Sequence, residues 1–297
     1  MRLASVIVDG ARKAAIIDGD EAFVTDIPGL EVAIAGSYEL GRCSGKRHPL
    51  RNILLDVPIR PPVLLCTGSN YRDHVEERAL SAEAVNTSSR DMEFFLKAGQ
   101  TIAELGSALR LSTGIGTKID QETEVGLVMG RDCPRGVTPK EAMDYVFGFI
   151  VANDVTARDK QVRIMRDGTI VMALGASKNF DSATRLGSSI VTKEEIPDIA
   201  ALAVRTFVNG ELTQNNSTAN LIHSFGEIIS FFSTGLTLEA GCIILTGTPG
   251  GTGWGQDSEL GGNGFVPPQC KRARYLRSGD EIRSEVSHVG SLTFNVE

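Results

Sequence analysis

Aromatic residues are scarce in this chain of 297 residues, at 6%, and tryptophan occurs once. Set beside 32 glycines, that composition disfavours a helical bundle and suits a fold rich in strands and turns. Cysteine is limited to five residues, Cys43, Cys66, Cys133, Cys242 and Cys270. An odd number with no short spacing argues against a disulfide framework and against a cysteine zinc site, and fits reduced thiols in the cytosol. No apolar run reaches the roughly 18 to 20 residues that cross a bilayer. The segment from Met1 to Ile7 lacks the long apolar core and cleavage site of a signal peptide. No block of five or six like charges occurs, and the formal net charge is -7, so neither a nucleic-acid face nor a membrane patch is expected. Two short basic clusters, Lys46-Arg47-His48 and Lys271-Arg272-Ala273-Arg274, read as solvated loops. Internal repeats and low-complexity segments are absent. The expectation is a cytoplasmic protein.

What is present is ordinary for a globular chain, 41% hydrophobic and 23% charged, long enough for one large domain and a small one. Residues 1–60 read as short strands (4–8, 14–17 and 22–24) punctuated by Gly10, Gly19-Asp20 and Pro28-Gly29. The double proline Pro61-Pro62 favours an extended connector and marks the boundary of a second unit, 61–297. There Val63 to Cys66, Val125 to Met129, Tyr145 to Asn153, Val204 to Val208, Cys242 to Thr246 and Ser291 to Val296 read as strands. Asn209-Gly210 signals a hairpin turn. Helices are expected over 73–84, from Pro139, and over 221–233, where Ile222, Phe225, Ile229 and Phe232 recur at helical spacing. A polar loop is expected over 81–90. The class is α+β and strand-dominated.

Three acidic residues stand out. Glu122 and Glu124 are two apart at the start of an apolar strand, so both project to one face. Asp154 ends another apolar strand. Three carboxylates brought together repel unless a cation neutralises them, and all-oxygen ligation suits Mg²⁺ first, then Mn²⁺ or Ca²⁺. The same Glu-x-Glu spacing also fits a solvated edge strand, and spacing alone leaves both readings open. His74 and Glu77, at i and i+3, share a helical face, which suits a carboxylate-oriented general base or a surface ion pair. His48, His223 and His288 have no comparable setting. Lys97 and Lys178 are each placed to hold a substrate carboxylate or a developing oxyanion, or to be solvated. The turn from Thr246 to Gly253 lets backbone approach a ligand, but no Gly-Lys-Ser/Thr ends it, so it is not a nucleotide loop.

Taken in order, these segments resemble the C-terminal catalytic domain of the fumarylacetoacetate hydrolase family. Gly68 to Glu77 resembles its G-x-N-Y-x-x-H-x-x-E segment, and Phe94 to Lys97 its strand ending in lysine. Asp120 to Glu124 resembles its D-x-E-x-E strand, and Tyr145 to Gln161 is the closest match. Lys178 to Asp181, Leu238 to Pro249 and Ser278 to Leu292 follow. The resemblance implies a mixed β-roll, usually dimeric, behind a small strand-rich N-terminal domain. It implies that Glu122, Glu124 and Asp154 bind the metal and that His74 and Glu77 form the base dyad. Lys178 would stabilise substrate charge, while Tyr71, Lys97, Arg158, Gln161, Thr246 and Gly247 would bind substrate. Departures are Cys242 in place of Asp, Ala98 after Lys97, a stretch 183–188 without the usual prolines, and a long insertion over 254–274. Because loops carry specificity, these bear on the substrate more than on the chemistry.

The expected reaction is hydrolysis of a carbon–carbon bond in an acylpyruvate or other 1,3-diketo acid, as in aromatic catabolism, through an enolate. The same enolate serves a 2-oxo acid decarboxylase, an isomerase or tautomerase, or a dehydratase, acting on oxaloacetate, a hydroxy-diene-dioate or a 2-keto-3-deoxy sugar acid. A non-catalytic, metal-stabilised binding protein is the alternative outside enzymes. The expected partners are a small-molecule 2-oxo acid and a second copy of the chain.

Overall fold

The computed structural model describes residues 1–78, 91–112, 114–167 and 170–297. The chain opens with β1 (Arg2–Val8), β2 (Ala11–Asp18), β3 (Glu21–Thr25), α1 (Leu30–Ala35), β4 (Gly45–Pro49) and β5 (Leu54–Asp56). Beyond Pro61 and Pro62 come β6 (Val63–Gly68), α2 (Arg72–Glu76), β7 (Glu93–Ala98), β8 (Ile119–Asp120), β9 (Thr123–Met129) and α3 (Pro139–Ala142). Next are β10 (Val146–Asp154), β11 (Thr156–Ala157), α4 (Arg158–Gln161), β12 (Val162–Ile164), β13 (Ile170–Met172), α5 (Leu174–Lys178), β14 (Thr184–Leu186) and β15 (Ile190–Thr192). The last elements are β16 (Ala203–Val208), β17 (Glu211–Ser217), α6 (Phe225–Gly235), β18 (Ile243–Leu245), β19 (Glu281–Val286) and β20 (Gly290–Asn295).

Among the described residues, 12 strands form one mixed sheet, in the order β4-β3-β2-β1-β15-β10-β9-β18-β6-β7 with β14 on β10 and β5 on β1. Strands β17-β16-β19-β20 make a second, antiparallel sheet. The fold is strand-dominated as expected. The N-terminal strands keep a small cluster of their own around Ala4, Val6, Ala15 and Val24. They also continue the large sheet, because Arg2 and Leu3 pair with Val191 and Ile190.

The centre of the sheet follows from burial. Strand β9 is buried at every position, as its unbroken apolar run requires of a strand covered on both faces. Beside it, β10 and β18 run antiparallel to β9, and β18 runs parallel to β6. The N-terminal end of β9 therefore lies level with the C-terminal ends of β10, β18 and β6. Glu122 and Glu124, Asp154, the turn from Thr246 and the segment from Gly68 to His74 all leave the sheet at that one end.

Local signals explain most boundaries. Asn209 and Gly210 both adopt positive φ, 53° and 79°, as the tight turn between β16 and β17 needs. Thr138 and Glu141 form a capping box ahead of Pro139. A second box, Ser224 with Glu227, starts α6 at Phe225, so the expected start at Leu221 is too early. Ile222 instead donates its N–H to Asn70 O at 2.8 Å. The cluster Lys46-Arg47-His48 lies on exposed edge strand β4 rather than in a loop. Of the helix expected over 73–84, the described part ends at Glu76. Residues 79–84 and the loop expected over 81–90 lie outside the described residues.

Candidate metal centre and active site

At that end of the sheet, oxygen atoms of Glu122, Glu124 and Asp154 all lie within 4.8 Å of one another, and all three residues are buried. The register places them: Ala152 pairs with Glu124 and Asn153 with Thr123, and Asp154 N donates to Glu122 O at 2.8 Å. Three buried cations face them. Lys178 Nζ donates to Asp154 Oδ2 at 2.6 Å and to Glu122 Oε2. Lys97 Nζ donates to Asp154 Oδ1 and, at 3.0 Å, to Ala183 O. Arg158 donates to Asp120 Oδ2 at 2.9 Å, to Gln161 Oε1 at 2.8 Å and to Glu122 Oε1 at 2.6 Å.

Four carboxylates, with Asp120, thus meet three cations, and Glu124 has none of its own. Burial pushes the Glu124 carboxyl well above its usual range, with Asp154 and Glu122 adding repulsion. Burial works the same way on Glu122, but Arg158 and Lys178 outweigh it and hold that carboxyl low. A hard divalent cation fits this donor set, since it would supply the missing charge at Glu124. The lysine contacts do not block it, because each carboxylate oxygen has two lone pairs.

Across the cavity, His74 Nδ1 lies 2.6 Å from Glu77 Oε1. The glycine-rich turn fixes this pair: Gly251 N and Thr252 N donate to Glu77 Oε2 at 2.9 and 3.2 Å, and Thr252 Oγ1 donates to Oε1 at 2.8 Å. The same turn donates from Gly247 N to Glu124 at 2.7 Å, and from Gly253 N and Trp254 N to Asp120 at 2.8 and 3.0 Å. Its backbone approaches the carboxylates of the site itself. Just beyond the turn, Gly255 is pressed against the same dyad, and a Cβ there would stand 2.6 Å from Glu77 Oε2.

The cavity is narrow, about 30 Å³, and is lined by His74, Glu122, Glu124, Lys178, Gln161 and Gly247 among the residues anticipated from sequence. Lys97 and Arg158 stand behind it and reach the acidic residues. Thr246 does not line the cavity; its hydroxyl donates to Val125 O at 2.9 Å. Tyr71 is fully buried, and its hydroxyl has no hydrogen-bond partner among the described residues. Residues that sequence reading passed over include Asp120, Asn70, Thr252, Arg78 and Trp254. Asn70 clamps the turn by donating to Thr246 O at 3.0 Å and His223 O at 3.1 Å. Trp254 packs its ring edge-on to His74, with centroids 6.3 Å apart. Asp120 stands inside the D-x-E-x-E motif, and Trp254 is the only tryptophan; both were available as signals.

Residues 64–297 match the family described as Fumarylacetoacetate (FAA) hydrolase C-terminal. The chain is 34% identical over 248 residues to oxaloacetate tautomerase YisK of Bacillus subtilis, covering 83% of this chain and 74% of that protein. It is 36% identical over 236 residues to human mitochondrial oxaloacetate tautomerase FAHD1, covering 79% and 91%. Among solved structures it is similar to the fumarylacetoacetate hydrolase of Exiguobacterium antarcticum. That match has a TM-score of 0.78 and 27% identity, and covers 100% of this chain and 99% of the other. It is also similar to the 2-hydroxyhepta-2,4-diene-1,7-dioate isomerase of Mycobacterium marinum, with a TM-score of 0.72, 26% identity and coverage of 100% and 98%. No helix among the described residues is long and apolar enough to cross a membrane.

Proposed function

The chain belongs to the fumarylacetoacetate hydrolase family of enzymes, and from its site we propose that it is a divalent-metal-dependent tautomerase of a small 2-oxo acid of the oxaloacetate class. The observation that carries this is the His74–Glu77 dyad, held by the glycine-rich turn on one wall of a narrow cavity whose other wall carries Lys178 and the acidic residues. Keto–enol exchange needs a base at the carbon next to the 2-oxo group and positive charge near the oxygen that gains electrons. Both are here, and little else is required. Two relatives above 30% identity bear the name oxaloacetate tautomerase.

Glu122, Glu124 and Asp154 would hold the cation, Mg²⁺ or Mn²⁺. Bound there, it would supply Lewis acidity toward the 2-oxo acid. His74 takes the proton from the carbon, the electron pair moves onto the 2-oxo oxygen, and the proton is returned from His74 to that oxygen, directly or through a water, to give the enol; ketonisation runs the same steps in reverse. Glu77 keeps Nδ1 protonated, so that the opposite nitrogen is the base. Lys178 stabilises the charge that develops, and Gln161 contributes a polar wall.

Hydrolysis of an acylpyruvate, the leading expectation from sequence, stands as the second reading. The same dyad can activate a water. The test gives the protein, with Mg²⁺ or Mn²⁺, the enol of oxaloacetate and separately an acylpyruvate. Accelerated loss of enol absorbance without bond cleavage supports the tautomerase. Two acid products support the hydrolase. Failure to accelerate either overturns both.

We further propose a homodimer. Phe94 and Leu96 project outward from β7, the terminal strand of the large sheet, at 53% and 48% exposure, and exposed apolar edges of this kind call for cover. Light scattering that returned the mass of one chain would refute it.

A further inference from the structure

Four lysine and arginine residues are buried among the described residues: Lys97, Arg158, Lys178 and Arg185. Three of them meet carboxylates, Lys97 and Lys178 at Asp154, and Arg158 at Asp120 and Glu122. Arg185 meets none among the described residues. Its Nε donates to Ser182 O at 3.1 Å, and its Nη1 donates to Ser107 O at 2.5 Å and to Ser107 Oγ at 3.2 Å. Those acceptors are all neutral, and Nη2 is buried with no hydrogen-bond partner. Burial lowers the guanidinium to about 10, and no neighbouring acid raises it again. It is therefore charged at neutral pH. A buried charge without a counterion is costly to fold around, and a buried donor left unpaired calls for an explanation.

The other three cations serve the metal centre, and Arg185 does not. On β14 its neighbour Thr184 pairs with Asp154, while Arg185 pairs with Asn153. Successive residues on a strand face opposite ways, so Arg185 turns away from the acidic residues. There it lines a second cleft of about 440 Å³, within the roughly 300–1,000 Å³ of small-molecule sites. The wall is largely aliphatic. Leu54, Leu55, Leu105, Leu186 and Leu292 line it with Phe294, whose ring centre lies 4.8 Å from the guanidinium. Leu54, on β5, is 64% exposed. The carboxylate on this wall, Glu104, is taken by Arg60 at 2.6 Å.

We propose that this cleft binds an amphipathic monocarboxylate, its carboxylate paired with Arg185 and its aliphatic chain laid along the leucines toward Leu54. One free arm and one unbalanced positive charge match a single negative charge, and a guanidinium suits a carboxylate. The leucines match a hydrocarbon chain. Nη2 is covered by protein, so the guanidinium turns outward to meet the ligand. The site is separate from the catalytic cavity and independent of the reaction proposed above. Leu54 and Leu55 come from the N-terminal strands, and Leu292 and Phe294 from β20, so the ligand spans both parts of the chain. Arg185 belongs to the stretch 183–188, one of the departures from the family, and the cleft gives that departure a role.

Calorimetric titration of the full-length protein, with Mg²⁺ present, tests this without reference to turnover. The probes are octanoate, octan-1-ol, which keeps the chain and lacks the charge, and acetate, which keeps the charge and lacks the chain. Octyl phosphate stands in for a lipid headgroup. The wild type should bind one octanoate per chain, about tenfold or more tighter than octanol or acetate, the worth of one charged hydrogen bond. Arg185→Met should bring octanoate to within about twofold of octanol, and Arg185→Lys should recover part of the difference. Leu54→Glu alters an exposed side chain and sets a negative charge at the rim, so it should weaken octanoate more than octanol. If Arg185→Met does not fold, Leu54→Glu decides. Octanoate that fails to bind the wild type, binds no better than octanol, or keeps its affinity in the deciding variant would overturn the proposal. Tighter binding of octyl phosphate than of octanoate would overturn the assignment to a carboxylate.

Discussion

Nδ1 of His74 and Oε1 of Glu77 stand 2.6 Å apart with both side chains buried. Burial alone would raise the Glu77 carboxyl, but the neighbouring His74 imidazole and its hydrogen bond, with those from Gly251 and Thr252, outweigh burial and lower it. Glu77 therefore stays ionised, and a fixed carboxylate on Nδ1 decides which imidazole nitrogen carries the proton.

Glu77→Gln should for that reason cost about 10²- to 10⁴-fold in kcat, the usual span for general acid–base catalysis. KM should change little, because Glu77 lies behind His74. Steady-state kinetics on the preferred substrate settle it, and a variant with wild-type kcat would remove the dyad from the mechanism.

Adding a divalent cation should raise the melting temperature. Glu124 is the reason: its carboxyl is held well above the ordinary range by burial, Asp154 and Glu122. An acid raised by folding contributes stability below its unfolded pKa and loses it as pH rises through its folded value. Without an ion, then, rising pH costs stability, and a bound cation removes that cost. At a hundredfold excess over Kd the gain is about 2.7 kcal/mol, or several degrees. It should be larger near about pH 8 than near about pH 5.5, because binding releases the proton from Glu124. Identical melting curves with Mg²⁺, Mn²⁺ and chelator would rule the centre out.

The glycine-rich turn makes a sharper structural demand than its composition suggests. Gly251 has a φ of +97°, and a Cβ there would lie 2.1 Å from Thr213 O, which is backbone and cannot swing aside. Gly251→Ala should destabilise the protein by about 1–2 kcal/mol from the conformation alone. Activity should fall further than stability predicts, since the N–H of this residue helps fix Glu77. Denaturant unfolding and kcat measured on the same preparation separate the two effects.

How far the site was readable depends on the range of the interaction. Glu122 with Glu124, and His74 with Glu77, were legible because strand and helix geometry place them together over two or three residues. That β9 and β10 bring Asp154 to Glu122 is set by register between strands, which spacing does not encode; the family resemblance supplied it. Arg78, Trp254 and the clamp on Asp120 depend on contacts across as many as 176 positions between Trp254 and Arg78 and 134 between Trp254 and Asp120. No local pattern announces those. The early start assigned to α6 has a different cause: apolar spacing continues through Ile222, but the Ser224–Glu227 capping box decides where the backbone turns helical.

Away from the site, Asp280 ties the closing strands to the turn before them. It accepts from Arg274 Nη1 and Nη2 at 2.7 Å each, from Asn209 Nδ2 at 2.9 Å and from Arg277 N at 2.8 Å. The Arg274 hydrogen bonds lead in lowering its carboxyl from 3.8 to about 2. A lowered acid contributes stability above its unfolded pKa and loses it as pH falls through its folded one, here between 3.8 and about 2. Asp280→Asn should thus cost about 1–3 kcal/mol at neutral pH, as hydrogen bonds to a charged group do. The deficit should shrink once pH drops below 3.8, because the wild type is then losing the same charge. Denaturant unfolding of both proteins from about pH 7 to about pH 3 measures it, and a difference that stayed constant across that range would mean the charge on Asp280 does not hold the strands.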